Sequence, residues 1–227
     1  MALSGLDYYG ESRPAAETGC DFFDFQERDR QSLACAIGRA TGSGIGASFT
    51  MASIQAFLRG LTIHQRGGIA SIVSDLNRIV YEISPGNFYA SLFHAWIDAA
   101  RGQLHYVNAG HGPVLLLRQS YPRVRRLENT GTVLGLSLRV VYRELTVDLE
   151  PGDLLLAVTD GVNEALSEEE ILRILNDHAQ ARPADLVHEL LDAAAGVEDC
   201  TALAVLFKGR AAAKAESEAV ELAFTAA

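Results

Sequence analysis

The chain has few basic side chains: 19 Lys and Arg residues stand against 29 Asp and Glu, which gives 227 residues a net charge of −10. Lysine is especially rare and occurs only at Lys208 and Lys214. Nucleic-acid-binding domains usually carry a basic stripe that neutralises phosphates. Because this sequence lacks one, nucleic acid is not expected as a partner.

Cysteines and long apolar runs are also scarce. Cys20, Cys35 and Cys200 are scattered and have neither the spacing of a disulfide framework nor that of a zinc site. We expect buried free thiols in a reducing compartment. No apolar run approaches the ~18 residues that span a bilayer, and the N-terminus lacks the apolar core of a signal peptide. The sequence therefore predicts a cytoplasmic protein with no membrane partner.

Length and composition predict one folded domain. Hydrophobic residues make up 48% of the chain and charged residues 21%, as in ordinary globular proteins. After Gly209 the composition changes to mainly Ala and Glu. We expect a single domain over residues 1–209, followed by an Ala/Glu-rich tail over 210–227.

Hydrophobic periodicity predicts paired helices and strands joined by short turns. Helices are expected over 47–64 and 69–83, after the capping-box residue Ser167, and from Pro183 onward. Residues 5–20 are expected to be an irregular entry segment. Short turns imply antiparallel pairing, so an α+β layered fold is predicted rather than a doubly wound one. Strands are predicted over 33–37, 88–97, 103–108, 114–118, 140–149, 154–158 and 201–207.

A Gly-rich turn between a predicted strand and a helix resembles a nucleotide-binding fingerprint. Gly42, Gly44 and Ala47 satisfy the spacing G-x-G-x-x-A. However, no Asp or Glu lies between Gly44 and Asp75, so the acid that would bind a ribose is missing. Nucleotide binding is therefore disfavoured.

Acidic residues next to predicted strands are the more informative candidates. They are Asp21 and Asp24 near the N-terminus, Asp160 after the strand 154–158, and the pair Glu198-Asp199 before the last strand. Carboxylates at converging strand ends are suitable ligands for Mg²⁺ or Mn²⁺. The alternative is that they are turn residues on a solvated rim.

Five motifs in order resemble those of the SpoIIE/RsbU-type PPM phosphatases. Residues 14–24 (PAAETGCDFFD) resemble the opening P-A-x-x-x-G-G-D-F-Y-D, and 151–165 (PGDLLLAVTDGVNEA) follow P-G-D-x-L-L-L-x-T-D-G-x-x-E-A. Residues 37–47 resemble the G-D-V-S-G-K-G-x-x-A turn, 108–113 the N-A-G-H-x-P element, and 198–201 the closing D-D-x-T. The resemblance covers residues 14 to about 207.

This resemblance implies a four-layer αββα sandwich of two antiparallel sheets flanked by helices. It also implies hydrolysis of phosphoserine or phosphothreonine on a regulatory partner protein, such as an anti-sigma-factor antagonist. In the family, a centre of Mn²⁺ or Mg²⁺ activates water, and no protein nucleophile is needed. The metal-ligand positions carried over are Asp21, Asp160 and the pair Glu198-Asp199, with Glu198 at the family's ligand position. His111, in the N-A-G-H element, is expected to be structural.

One position departs from the family in a way that bears on activity. Where the family has the aspartate that bridges both ions, this chain has Arg39. An arginine supplies no anionic oxygen and adds a positive charge. Two arrangements remain open: Arg39 pairs with Asp21 or Asp160 in the place of a metal, or it points to solvent while one ion binds through Asp160.

Two functions follow from this departure. The first is a metal-dependent protein serine/threonine phosphatase whose activity Arg39 impairs. The second is a catalytically inactive domain that binds a phosphoprotein or a regulator. In either case we expect one ion, or none, rather than two.

Overall fold

Two antiparallel five-stranded sheets lie face to face, with helices on both outer sides. The structure is a computed structural model, and it describes residues 3–42, 44–64, 67–83, 88–119, 123–196 and 198–209. Within these residues no helix is long and apolar enough to cross a membrane. The predicted tail over 210–227 lies outside the described residues, so the domain boundary at 209 stays a prediction.

The elements are numbered in chain order. The first sheet has the spatial order β1 (Leu6–Arg13), β10 (Cys200–Phe207), β9 (Leu154–Val158), β6 (Val114–Arg118) and β7 (Arg123–Arg126). The second sheet has the order β2 (Asp21–Glu27), β3 (Ser32–Ala40), β4 (Ala90–Asp98), β5 (Gln103–Ala109) and β8 (Leu145–Asp148). The helices are α1 (Gly44–His64), α2 (Ile69–Ile83), α3 (Asp160–Ala165), α4 (Glu168–Asp177) and α5 (Pro183–Ala193).

Three apolar clusters hold the four layers together. The central cluster, between the sheets, includes Leu33, Phe93 and Tyr106, all fully buried. A second cluster packs α3, α4 and α5 on the first sheet, and a third packs α1 and α2 on the second sheet. The strands of both sheets are therefore covered on two faces, and the predicted αββα sandwich is confirmed.

The helices begin and end largely where the sequence predicts. Ser167 forms a complete capping box with Glu170 at the start of α4, and Pro183 occupies the first position of α5. The Gly-rich turn connects β3 to α1, and Gly42 and Gly44 both have positive φ, at 98° and 73°. The turn requires glycine at both positions, because residues with a side chain rarely adopt this backbone conformation.

Several strand predictions were wrong or incomplete. Residues 6–13 were expected to be irregular, but they form β1 and pair with β10 from Leu6↔Phe207 to Arg13↔Cys200. The half-buried side chains of β1 leave no clear apolar alternation, and its pairing partner lies at the other end of the chain. The strand predicted over 140–149 shortens to β8. β2, β7 and α3 were not predicted.

His94 in β4 is a buried group whose protonation opposes folding. Its Nδ1 lies 3.1 Å from the carbonyl oxygen of Cys35 and its Nε2 lies 3.4 Å from the Thr62 hydroxyl. Burial lowers the pKa of His94 from 6.5 to about 4. The neutral imidazole is therefore the form that the folded protein accommodates.

We expect the free energy of unfolding to fall as the pH drops from 7 to 5, because the unfolded chain then binds a proton at His94 that the folded chain does not. The contribution of His94 is about 2 kcal/mol over this range. Denaturant unfolding of the parent and of His94→Gln at both pH values measures it. The exposed His64, replaced by Gln, is the control and should keep the parental pH dependence; an unchanged dependence in His94→Gln would contradict the assignment.

Candidate functional site

The candidate site lies where the two sheets approach each other at one end. Asp21 and Arg39 face each other directly in the antiparallel register of β2 and β3. From the first sheet come Thr159, which follows β9, and Glu198-Asp199, which precede β10; the Thr159 N–H donates to the Thr201 carbonyl at 2.9 Å. Sheet pairing therefore brings together residues from both ends of the chain.

Asp21 is the buried carboxylate at the centre of the site. Its Oδ2 accepts a 2.6 Å hydrogen bond from the Thr159 hydroxyl, and its Oδ1 lies 3.3 Å from Nη1 of Arg39. Burial raises the pKa of Asp21 to about 6, against the opposing effects of Thr159 and Arg39. Asp21 is thus mainly ionised at neutral pH, held by one neutral donor and one cation.

Arg39 links Asp21 to the opposite sheet. Its Nη2 donates to Oε2 of Glu198 at 2.9 Å, and its Nη1 is 3.5 Å from the carbonyl oxygen of Asp199. Burial would by itself lower the pKa of Arg39, but the charges of Asp21 and Glu198 outweigh it and raise the pKa. Only 23% of the side chain is exposed. The guanidinium therefore lies between two carboxylates and not in solvent.

The Asp199 carboxylate has different hydrogen-bond partners from that of its neighbour Glu198. Its Oδ1 accepts a hydrogen bond from the Ala15 N–H at 2.9 Å, and its Oδ2 accepts one from the Cys20 N–H at 2.7 Å. Both bonds fasten the segment between β1 and β2 to the start of β10. The Asp199 carboxylate is thus engaged by the backbone, and Glu198 is the member of the pair that faces Arg39.

Asp160 is the first residue of α3, and it is exposed. The next residue must be glycine, because a Cβ at Gly161 would collide with the carbonyl oxygen of Asp199. This close approach places the start of α3 against the segment that precedes β10. The glycine of the Thr-Asp-Gly motif is therefore required by packing, independently of any chemistry at Asp160.

A cleft of about 600 Å³ opens beside Asp160. Its lining includes Arg126, Asn129 and Asn163, which sequence patterns did not single out because they meet only in the folded chain. His111 borders the same cleft but is buried, with Nδ1 3.1 Å from the Ser91 hydroxyl. Burial lowers the pKa of His111 to about 4, so the ring is neutral; its structural role stays a prediction.

These residues do not fit a two-metal centre. Across the described residues, no group of three or more His, Cys, Asp or Glu side chains is arranged to hold a metal ion. The group between Asp21 and Glu198 is a guanidinium, which repels cations. Of the two arrangements that the sequence left open, the pairing of Arg39 with Asp21 is confirmed. The second partner of Arg39 is Glu198 and not Asp160. The arrangement in which Arg39 points to solvent is wrong.

The fold and the ordered motifs define the class of protein: this is the architecture of the PPM phosphatases. The RsbU and RsbW domains of a Mycobacterium tuberculosis protein superpose with a TM-score of 0.80 at 25% identity, covering 92% of this chain and 61% of that one. The catalytic domain of the serine/threonine phosphatase PstP, solved in complex with two manganese ions, has the same fold, with a TM-score of 0.70 at 18% identity, covering 88% of this chain and 97% of that one.

The family model described as Stage II sporulation protein E (SpoIIE) matches residues 29–207, and the chain belongs to this family. The phosphoserine phosphatase RsbU of Bacillus subtilis is 27% identical over 203 residues, which are 86% of this chain and 59% of RsbU. Protein IcfG of Synechocystis is 29% identical over 180 residues, 68% of this chain and 28% of IcfG. The chain thus spans less than two thirds of the length of these relatives.

The different surroundings of Asp199 and Asp160 predict different effects when each is replaced by alanine. Asp199→Ala should lower the free energy of unfolding by about 2 kcal/mol, because the buried Cys20 N–H and the partly buried Ala15 N–H lose a charged acceptor. Asp160→Ala should change it by less than about 0.5 kcal/mol, since that side chain is exposed. Urea unfolding of the two variants measures both effects. Equal effects would contradict the assignment of Asp199 as the structural member of the acidic set.

Proposed function

We propose that this domain binds a phosphorylated regulatory protein and that Arg39 replaces the metal centre, so that metal-dependent hydrolysis of phosphoserine or phosphothreonine is absent or strongly reduced. The domain then holds one divalent ion or none. The observation that carries the proposal is the placement of the Arg39 guanidinium between Asp21 and Glu198.

The charges at this position explain why an ion and Arg39 exclude each other. Arg39 neutralises carboxylates that would otherwise attract a cation, and its own charge repels one. For unit charges about 4 Å apart at an effective dielectric near 20, the interaction is about 4 kcal/mol, and it is larger for a divalent ion. Replacing a bridging carboxylate by a guanidinium therefore reverses the electrostatics that a pair of cations requires.

The relatives support the class of partner. RsbU and RsbP of Bacillus subtilis are both described as phosphoserine phosphatases. The resemblance of the motifs points to a phosphorylated regulator such as an anti-sigma-factor antagonist. The cleft beside Asp160 has room for a short segment of such a protein.

The second candidate is an active phosphatase with one ion. It is favoured by the exposed Asp160 in a Thr159-Asp160-Gly161 element that matches the family motif. In this case Asp160 would be the main ligand, with Asp21 and Glu198 remaining in their ion pairs with Arg39. The two candidates differ in whether Mn²⁺ binds and whether phosphate is released.

Calorimetric titration of the parent protein with Mn²⁺ should show one site or none. Any site that is present should be lost in Asp160→Asn, because an amide is a poor ligand for a hard cation. Asp177→Asn, an equal charge change at an exposed position on α4, should leave it unchanged. Two tight sites in the parent would contradict the proposal.

Arg39→Asp should restore metal dependence. The substitution returns a carboxylate between Asp21 and Glu198, so Mn²⁺ should raise the melting temperature of the variant by more than that of the parent. Hydrolysis of an aryl phosphate in Mn²⁺ should rise about tenfold or more over the parent.

Arg139→Asp is the matched control, because it makes the same charge change at an exposed residue outside the site. It should behave as the parent does in both measurements. A parent already as active as Arg39→Asp would show that the arginine is compatible with catalysis and would favour the one-ion phosphatase. Inactivity of both proteins, with binding of the phosphorylated partner retained, would support the binding role.

A further inference from the structure

Strand β7 is an exposed edge of the first sheet with a local excess of positive charge. It pairs with β6 alone, from Leu115↔Arg126 to Arg118↔Arg123, and no other strand of the described residues pairs with it. Its four residues are Arg-Val-Arg-Arg, and all three arginines are exposed. Because the chain as a whole has a net charge of −10, this edge is opposite in sign to the rest of the molecule.

The backbone of β7 has free hydrogen-bonding groups on its open side. The Leu127 N–H, directly after the strand, donates to the Val114 carbonyl at the start of β6 at 2.9 Å. Backbone groups of successive strand residues point to opposite sides, so Arg125 also faces β6, whereas Val124 and Arg126 point away from it. Each of these two residues offers an N–H donor and a carbonyl acceptor. An open edge of this kind accepts a further strand.

The side chains of β7 add a charge that selects what this edge binds. Arg126 is paired, since its Nη2 lies 3.1 Å from Oε1 of Glu168. Arg123 and Arg125 form no ion pair with any residue that the structure describes. They are two positions apart in a strand and therefore lie on the same face. Two unpaired guanidinium groups beside an open edge fit carboxylates of an added segment, which they bind by charge-assisted hydrogen bonds.

The open edge leads into the cleft beside Asp160. Arg126, the last residue of β7, lines this cleft, and so do the next three residues of the chain, 127–129. A strand advances about 3.3 Å per residue, so the path from Arg123 to Arg126 is about 10 Å long. An extended segment that lies along β7 therefore enters the cleft within about three or four residues.

We propose that β7, residues 123–126, is a docking edge for the phosphorylated partner, which adds an extended acidic segment beside β7 while its phosphorylated residue lies in the cleft. The backbone of Val124 and Arg126 pairs with the added segment, and Arg123 and Arg125 bind its carboxylates. This inference rests on the proposed function and extends it to the sequence of the partner, which has acidic residues about three or four positions from the phosphorylated one.

Binding of synthetic peptides to the full chain, measured by fluorescence anisotropy, tests the docking edge. The reference peptide has a central phosphoserine flanked on both sides by alternating glutamate and valine. A neutral peptide has glutamine in place of each glutamate, and an unphosphorylated peptide has serine in place of phosphoserine. The reference peptide should bind about tenfold or more tightly than the neutral peptide, and NaCl at about 0.5 M should reduce this difference, because salt screens exposed charges.

Charge reversal on β7 identifies the surface that binds. Arg123→Glu/Arg125→Glu should weaken binding of the reference peptide by about tenfold or more and leave binding of the neutral peptide nearly unchanged. Arg30→Glu/Arg78→Glu is the matched control, with the same charge change in the β2–β3 turn and on α2, and should bind as the parent does. All four positions are exposed, so both variants should remain folded, which thermal unfolding checks.

Amide hydrogen exchange followed by NMR tests whether the segment adds as a strand. In the complex with the reference peptide, exchange at the N–H groups of Val124 and Arg126 should slow by about tenfold or more, because both gain hydrogen-bond acceptors. The amides of β8, the edge strand of the second sheet, are the control and should exchange at the same rate with and without the peptide. Binding without protection at positions 124 and 126 would overturn the proposal.

The three peptides separate failure of this inference from failure of the proposed function. Equal binding of the reference and neutral peptides, unaffected by Arg123→Glu/Arg125→Glu, would overturn the docking edge and leave the phosphoprotein role intact. Binding of the unphosphorylated peptide as tightly as the reference, through the two arginines, would support the docking edge and contradict the phosphoprotein role.

Two further results would overturn the docking edge. If none of the peptides binds, the arginines serve only to keep an open sheet edge from pairing with other chains. If vesicles containing phosphatidylserine bind through Arg123 and Arg125 while the reference peptide does not, the edge belongs to a membrane surface and not to a protein partner.

Discussion

An arginine held between two carboxylates is the interaction on which the candidate site depends. Arg39 joins Asp21 of the second sheet to Glu198, which precedes a strand of the first sheet. Beside it, the Thr159 hydroxyl donates to Asp21 and makes a second link between the sheets. A buried carboxylate needs such partners, because an ionised group removed from water is strongly destabilising when unpaired. The ion pair with Arg39 thus satisfies Asp21 without an external cation.

The same arrangement underlies the proposal that this member of the family differs from the metal-dependent ones. The fold follows the SpoIIE pattern, and the Thr159-Asp160-Gly161 element lies within the residues 29–207 that the family model matches. At the position opposite Asp21 in the β2–β3 register, where the resemblance implies an aspartate, this chain has Arg39. A conserved scaffold can therefore keep its shape while the chemistry of its centre changes, since sheet pairing depends on the backbone and the central apolar cluster.

The outer layers of the sandwich are not equivalent. The helices on the first sheet bury one face and expose polar residues on the other; α4, for example, begins with three glutamates. Helix α1 on the second sheet is apolar on two opposite faces. The site between the sheets and the exposed apolar face of α1 lie on different elements of the fold.

The sequence by itself determined the family, the layered α+β architecture and approximately where α1, α2, α4 and α5 begin, but not α3. Local signals carry these features: the capping box at Ser167, the proline at position 183 and the apolar periodicity of α2 each act over a few residues. β1 was not predicted, because its half-buried residues are stabilised by pairing with β10, which lies near the other end of the chain. The acidic candidates and the unusual Arg39 were also evident from the sequence.

Only the tertiary structure decided which carboxylate faces the arginine, since Glu198 lies 159 residues from it. The carboxylate of Asp199, the next residue in the chain, instead accepts hydrogen bonds from the backbone N–H groups of Ala15 and Cys20. Neighbouring residues at a strand entrance point in different directions, and the direction of each is set by the elements packed around it.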